Sequence, residues 1–287
     1  MRRLLRSFAP LGGLVAVVVA VLLGADEGRA VYTISIDRIA LGIAPDFVPV
    51  PTWESTIRRV ARVMRDDLSL PLPPRITLHL YGSPEMLERG LVDDLGVAPP
   101  LAARLGDFAA GVSLDRHLLL LEPESRRGVR DWTRLVAHEM THLSQTELAG
   151  DGPRGSQWLA EGMADWVAYS VLERLGIGPA GAERSLTLAA AREALGAGVP
   201  LDLQLLGAPR GFIEATSREG VRTYRLAYLL TDRLIERHGF PRLVRYFRES
   251  GAAVDPSVTF ASVFGESLDD FAREWTPLQR EPGSAEP

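Results

Sequence analysis

The feature that most constrains the fold of this chain is the sequence His-Glu-Met-Thr-His at residues 138–142. Residues four apart lie on one face of an α-helix, so His138 and His142 can hold one metal ion between them only if the segment is helical. Glu139 lies about 100° further round such a helix, where it can take a proton from a water that the metal activates. The motif therefore predicts a helix over residues 131–148 that carries a metal and a general base.

A second motif supplies the ligand that two histidines lack. Glu161 follows His142 by 19 residues, within the sequence Trp-Leu-Ala-Glu-Gly-Met-Ala-Asp-Trp at residues 158–166. Catalytic zinc commonly takes three protein ligands, often two histidines and one glutamate, and keeps a fourth position for water. Residues 149–156 have the composition of a loop, which lets a second helix, over residues 158–175, fold back beside the first. We therefore predict a Zn²⁺ site at His138, His142 and Glu161.

Asp165 lies one helical turn after Glu161 and on the same face. Its carboxylate can accept the free imidazole N–H of His138 and so fix the orientation of that ring. The alternative for Asp165 is an ordinary solvated charge or an ion pair on the helix surface.

The two motifs resemble those of the gluzincins, zinc peptidases of the MA clan. The resemblance is closest to small peptidase MA-like domains and more distant to thermolysin and the M1 aminopeptidases. It extends loosely over residues 75–276. In the family a strand pair precedes the zinc helix, a later helix carries a Tyr, and an acidic-apolar helix ending in Trp closes the pattern. The similar segments here are residues 110–113 with 117–121, residues 224–230 and residues 260–275.

The resemblance implies an α+β fold of the gluzincin type, with a small mixed β-sheet over an active-site helix and a mainly helical C-terminal part. It implies a zinc-dependent peptidase in which Glu139 is the general base and the phenol of Tyr224 stabilises the oxyanion. The strand of Gly111 and Val112 is expected to pair with a peptide or protein substrate. The alternative for Tyr224 is an ordinary packed aromatic, in which case Tyr228, one turn later, is the expected donor. The alternative for the strand of Gly111 is an edge strand that binds no substrate.

Two other functions stay open. The aminopeptidases of the family anchor the substrate amine with a Gly-Ala-Met-Glu-Asn run, which residues 110–113 (Ala-Gly-Val-Ser) do not match. An endopeptidase is therefore expected rather than an aminopeptidase without that motif. From another class, the chain could be a membrane-associated interaction module that retains zinc without catalysis. Structural zinc sites are usually closed by four protein ligands, mostly Cys, and the absence of Cys from this chain disfavours the module.

Residues 1–30 have the pattern of a targeting segment. A basic start at residues 2–6 precedes an uncharged apolar run at residues 11–24. This run suits a signal peptide that is cleaved after Ala30, or an uncleaved anchor through which the chain associates with a membrane. In both cases the charge before the run predicts that the remainder is secreted or anchored at the extracytoplasmic face of the membrane.

The remainder is predicted to form one catalytic domain (residues 31–278) and a disordered polar tail (residues 279–287). Strands are predicted over residues 31–36, 75–81, 108–113 and 117–121, and further helices over 52–68, 180–195 and 221–238. Residues 196–220, with Gly, Pro and charge, are predicted to be mostly loop. His79 and His117 are expected at a strand surface rather than as ligands. The net charge of −5 gives no nucleic-acid footprint, so no nucleic-acid partner is expected.

Overall fold

The computed structural model describes residues 29–35, 53–106, 110–122, 128–178, 181–196, 201–253 and 255–275. These residues have an α+β fold, as the sequence predicts, in which a small mixed β-sheet packs with a larger number of helices. The predicted targeting segment up to residue 28 and the predicted tail at residues 279–287 lie outside the described residues. No helix in the described part of the chain combines the length and the apolar composition needed to cross a membrane.

The described residues form a sheet of four strands, which overlap the four predicted segments with ends shifted by up to three residues. They are β1 (Arg29–Ser35), β2 (Arg75–Tyr81), β3 (Gly111–Leu114) and β4 (His117–Leu121). Their order is β1-β2-β4-β3, with β2 and β4 parallel and the other two pairings antiparallel. The β3–β4 hairpin turns through Asp115, which adopts the positive φ of 53° that Asp tolerates better than most residues. β3 therefore lies at an edge of the sheet.

The helices predicted over residues 52–68, 131–148, 158–175, 180–195 and 221–238 are present, with ends close to those predicted, and the described residues form further helices as well. In chain order, the helices of the described residues are α1 (Trp53–Arg62), α2 (Pro84–Asp93), α3 (Pro99–Gly106), α4 (Val129–Ala149), α5 (Gln157–Arg174), α6 (Ala182–Gly196), α7 (Leu203–Gly207), α8 (Pro209–Glu219), α9 (Val221–His238), α10 (Phe240–Ser250), α11 (Pro256–Phe264) and α12 (Leu268–Arg273). A π-helical segment, Val63–Asp67, continues α1. The two helices predicted to carry the metal ligands are α4 and α5.

The prediction that residues 196–220 are mostly loop is wrong, because α7 and α8 occupy most of that segment. Pro209 lies in the first turn of α8, where a missing backbone N–H breaks no helical hydrogen bond. Gly220 ends α8 with a φ of 60°. The Pro and Gly residues therefore mark the ends of helices rather than an irregular connection.

The core centres on α4, α5 and α9. Gly162 on α5 permits a close approach of α9, since a Cβ atom at this position would lie 2.3 Å from the carbonyl oxygen of Ala227. Trp158 is fully buried on α5 and stacks on Phe271 of α12. The middle of α5 is thereby held between α4 and α9, with Glu161 on the side that faces α4.

The second face of the sheet is also covered, which corrects the expectation for His79. A smaller apolar cluster formed by β2, β4, α2 and α3 covers this face, and His79 is only 4% exposed. His79 Nε2 lies 2.9 Å from Nδ1 of His117, which is half-buried. The alternating pattern of β2 suggests a strand with one solvent face. β2 lies instead between two other strands with both of its faces packed.

Candidate metal centre

Three side chains from α4 and α5 converge at one point. The Nε2 atoms of His138 and His142 lie 3.2 Å and 3.4 Å from Oε2 of Glu161. One ligand atom from each residue lies within 4.8 Å of the other two. Imidazole nitrogen and carboxylate oxygen are common metal ligands, and all three side chains are largely buried. The structure thus brings together the three predicted ligands in a group that could bind a metal ion.

Each histidine is oriented by a hydrogen bond at Nδ1, the ring nitrogen that faces away from Glu161. His138 Nδ1 lies 3.0 Å from Oδ1 of Asp165, which is the contact expected from the sequence. His142 Nδ1 lies 3.0 Å from Oε1 of Gln145. Both oxygens accept hydrogen bonds, so they fix an N–H on each Nδ1 and direct each Nε2 towards Glu161. Asp165 is itself held, because Arg134 Nη1 donates to Oδ1 of its carboxylate over 2.7 Å.

Sequence reasoning missed two glutamines that position these ligands. Gln145 is fully buried and also donates, through Nε2, to the carbonyl oxygen of Ala160 over 2.9 Å. Gln157 Nε2 donates to Oε1 of Glu161 over 2.7 Å, which leaves Oε2 facing the histidines. Each glutamine lies three or four residues from a ligand on the same helix, so their helical spacing is the signal that could have found them.

The pKa values of His138, Glu161 and Asp165 are all shifted towards the charged forms. Burial disfavours the charged form of His138, but hydrogen bonds to Asp165 and Glu161 outweigh it and raise the pKa of His138 to about 10. Burial would raise the pKa of Glu161, yet the nearby His142 and His138 hold that pKa well below its usual range. The pKa of Asp165 is lowered as well, since hydrogen bonding to His138 outweighs burial. Arg134 supplies one positive charge, next to Asp165. The other comes from a proton on His138, or from a metal ion when one binds and displaces that proton.

Glu139 lies beside the three converging groups without being one of them. Its carboxylate Oε2 accepts a hydrogen bond from the hydroxyl of Ser113 on β3, over 2.8 Å. The same hydroxyl lies 2.7 Å from the backbone oxygen of Glu139 and can donate to one of the two acceptors at a time. Ser113 is a further residue that sequence reasoning did not assign to the site. A lone Ser on a short strand has no spacing pattern that would identify it.

The residues predicted to bind substrate lie on the edge strand. Gly111 is buried and lines a cavity of about 600 Å³, together with His138 and Glu139. The side chain of Val112 packs with the apolar cluster on the other face of the sheet. At these two positions, the strand therefore presents its backbone and a residue without a side chain to the cavity.

Tyr224 of α9 lines the same cavity as Gly111 of β3. Its ring centroid is 6.4 Å from that of His138, and Phe212 packs edge-on against it at 5.3 Å. Burial, reinforced by the carboxylates of Glu161 and Glu139, raises the pKa of Tyr224 well above its ordinary value. The phenol stays protonated and can donate a hydrogen bond.

Tyr228, the alternative donor, is buried against Tyr169 at a ring distance of 5.2 Å. It is not among the residues that line the cavity. The structure therefore brings Tyr224, and not Tyr228, to the candidate site.

No protein-family model matches this chain, and no curated protein is significantly similar to it. The functional argument therefore rests on the site itself. His138, one of the three candidate ligands, lines a cavity that Glu139 and Tyr224 also line.

Proposed function

We propose that the chain is a zinc-dependent peptidase with a gluzincin-type fold, in which His138, His142 and Glu161 hold Zn²⁺. The observation that carries the proposal is the convergence of two imidazole Nε2 atoms and one carboxylate oxygen beside a cavity of about 600 Å³. Two histidines and a glutamate are a common ligand set for catalytic zinc, which keeps one position open. When bound, zinc acts as a Lewis acid that polarises a carbonyl and lowers the pKa of a coordinated water.

Glu139 is the general base in this proposal. Its carboxylate lines the cavity and is not one of the three ligand groups, so it is available to take a proton from water. The same carboxylate then returns the proton to the leaving amine. Ser113 keeps Oε2 of Glu139 in place through their hydrogen bond. Tyr224 donates to the oxyanion that forms on the substrate.

The substrate is a peptide or protein segment in extended conformation. Support comes from the position of β3, which lies at an edge of the sheet, packs against α4 and carries Gly111 into the cavity. An edge strand offers backbone groups that an extended peptide can pair with. The mixed sheet over the metal-binding helix, with the third ligand on the next helix, supports the gluzincin assignment.

The test combines metal analysis with cleavage of casein as an unstructured substrate. The purified chain should contain about one zinc per polypeptide, as a single catalytic site requires. Glu139→Gln should keep the zinc and lose activity by at least about 10²-fold, because it removes only the base. His142→Ala should lose most of the metal. A wild-type protein that is free of metal after mild purification contradicts the proposal.

The same experiment separates the alternatives. Zinc without cleavage of any substrate would favour the interaction module. Cleavage that is equally fast in zinc-loaded Glu139→Gln would show that Glu139 is not the base. Release of single N-terminal residues would indicate an aminopeptidase.

The basic and apolar pattern of residues 1–30 supports export, with the catalytic part secreted or anchored outside the cytoplasm. N-terminal sequencing of the protein from cells should give a start near Val31 if the segment is cleaved. Full-length protein that is soluble in the cytosol contradicts both forms of export.

A further inference from the structure

One guanidinium group in the cavity has no carboxylate partner among the residues that the structure describes. Arg134 and Arg225 both line the cavity. Arg134 donates to Asp165 over 2.7 Å, and its guanidinium carbon lies 5.8 Å from the centre of the Tyr169 ring. Arg225, the residue after Tyr224 on α9, has no ion pair or side-chain hydrogen bond within the described ranges of the chain. Its charge is therefore available to a ligand in the cavity.

The cavity that Arg225 lines also carries exposed apolar side chains. Leu186 of α6 is 66% exposed and Val221 of α9 is 59% exposed, and both line the cavity. Val221 and Arg225 are four residues apart on α9, so they share one face of that helix. Exposed apolar side chains at the mouth of a cavity mark a surface that a ligand can cover.

The charges in the cavity are distributed unevenly. The acidic side chains that line it, Glu139 and Asp165, belong to α4 and α5 on the metal side. The lining residues from α6, α8 and α9 include no carboxylate. A carboxylate that enters on this second side meets Arg225 without an acidic competitor. A guanidinium binds a carboxylate through two parallel hydrogen bonds, which gives both affinity and orientation.

An ion pair outside the cavity joins α6 and α9, two of the helices that form its second side. Arg184 of α6 donates from Nε and Nη2 to the two carboxylate oxygens of Asp232 on α9, over 2.8 Å and 2.6 Å. Asp232 is buried, so this two-pronged contact fixes α6 against α9. The cavity-lining residues Leu186 of α6 and Val221 and Arg225 of α9 thereby sit on helices that are fixed to each other before a ligand arrives, which reduces the entropic cost of binding.

We infer that Arg225 is a specificity-determining residue that binds a carboxylate of the substrate, and that Leu186 and Val221 contact an apolar residue beside it. The inference rests on the proposed function, since it assigns a substrate class to the same cavity. The carboxylate belongs either to an Asp or Glu side chain of the peptide or to its C-terminus. Both sources present the same group to Arg225.

The test uses four fluorogenic peptides with a common Leu-containing sequence. They differ only in Glu or Gln at the position next to Leu, and in a free or amidated C-terminus. Wild-type protein should cleave a peptide that carries the recognised carboxylate with a kcat/KM roughly tenfold or more above that of the matched peptide without it. This is the scale expected for a charge-assisted, hydrogen-bonded pair. A preference for Glu identifies the side chain as the source, and a preference for the free C-terminus identifies that group.

Arg225→Gln should abolish this preference mainly through KM, and Arg225→Lys should restore part of it. The matched control is Arg222→Gln on the same helix, because Arg222 is exposed, lies near Glu219 and does not line the cavity. That variant should keep the preference of the wild type. Equal cleavage of the four peptides, or a preference that survives Arg225→Gln, overturns the inference.

A binding measurement distinguishes this inference from the peptidase proposal. Fluorescein-labelled forms of the four peptides are titrated with zinc-loaded Glu139→Gln, and with the same variant that also carries Arg225→Gln. Carboxylate-dependent binding that disappears with Arg225→Gln supports the subsite even if no peptide is cleaved, in which case only the peptidase proposal fails. Binding that ignores the carboxylate overturns the subsite even if cleavage is observed. Circular dichroism of each variant checks that the fold is retained.

Discussion

A Cβ atom on Gly111 would lie 2.9 Å from Cγ of Glu139, closer than real Cβ contacts come. The same atom would lie 2.7 Å from Cδ2 of Leu120 on the neighbouring strand. β3 therefore contacts the side chain of the proposed base directly. With the Ser113 hydroxyl 2.8 Å from Oε2 of Glu139, the strand restricts that side chain at two points. The edge strand thus positions the base, in addition to its proposed pairing with substrate.

Gly111→Ala should reduce kcat by on the order of 10²-fold, because a displacement of about 1 Å in a catalytic group costs this much. The added methyl group pushes on Glu139 and not on the ligands, so zinc content should be unchanged. Overpacking should also lower the free energy of unfolding by about 1–3 kcal/mol, measured by urea denaturation. Gly196→Ala at the end of α6 is the control, since no atom of the described residues lies within 4 Å of a Cβ atom there. Full activity in Gly111→Ala would show that the strand does not position the base.

Ser113→Ala should lower kcat about tenfold while the zinc content stays the same. A hydrogen bond to a charged group contributes about 1.5–3 kcal/mol, and part of that is lost when water replaces the hydroxyl. Ser113→Thr keeps the hydroxyl and should recover most of the activity. Ser144→Ala is the control on α4, because the buried hydroxyl of Ser144 has no hydrogen-bond partner among the described residues. Equal kcat values for Ser113→Ala and the wild type would remove Ser113 from the site.

The sequence predicts those features of the site that depend on the spacing of residues within one helix. The period of an α-helix sets the relation of His138 to His142, and likewise that of Glu161 to Asp165. Once the two motifs were assigned to adjacent helices, the contact between His138 and Asp165 could be predicted. The distance of 3.0 Å between these side chains agrees with that prediction.

The features that do not follow from the sequence depend on how the helices and the sheet pack. The contact of Ser113 with Glu139 joins residues 26 apart in sequence and requires the position of β3 over α4. The burial of His79 depends on helices that cover the second face of the sheet, which alternation within one strand does not reveal. The helices within residues 203–219 could not be predicted from composition, because Gly and Pro occur at helix ends as well as in loops.

Gln145→Leu should weaken zinc binding about 10–100-fold, the usual effect of removing the group that orients a ligand histidine. His142 loses the acceptor that holds its Nδ1, and the buried carbonyl of Ala160 loses its donor. The unpaired carbonyl should cost about 1–3 kcal/mol in the free energy of unfolding. Competition with a chromophoric chelator measures the affinity.

The control for Gln145→Leu is Thr146→Ala. It removes a hydroxyl that donates to the backbone oxygen of His142 over 3.1 Å and has no other hydrogen bond within the described part of the chain. Its zinc affinity should match that of the wild type. If both variants bind zinc as tightly as the wild type, Gln145 does not orient the ligand.

Tyr224→Phe and Tyr228→Phe together test the oxyanion donor. Tyr224 lines the cavity near His138, whereas Tyr228 is buried against Tyr169. Loss of one donor to an oxyanion lowers kcat by roughly 10²–10³-fold and leaves KM little changed, so Tyr224→Phe should show this pattern. Tyr228→Phe should keep a kcat close to that of the wild type. Steady-state kinetics on one peptide, with zinc content measured for each variant, makes the comparison. The reverse result, a silent Tyr224→Phe and an impaired Tyr228→Phe, would move the donor one turn along α9 and leave the metal site intact.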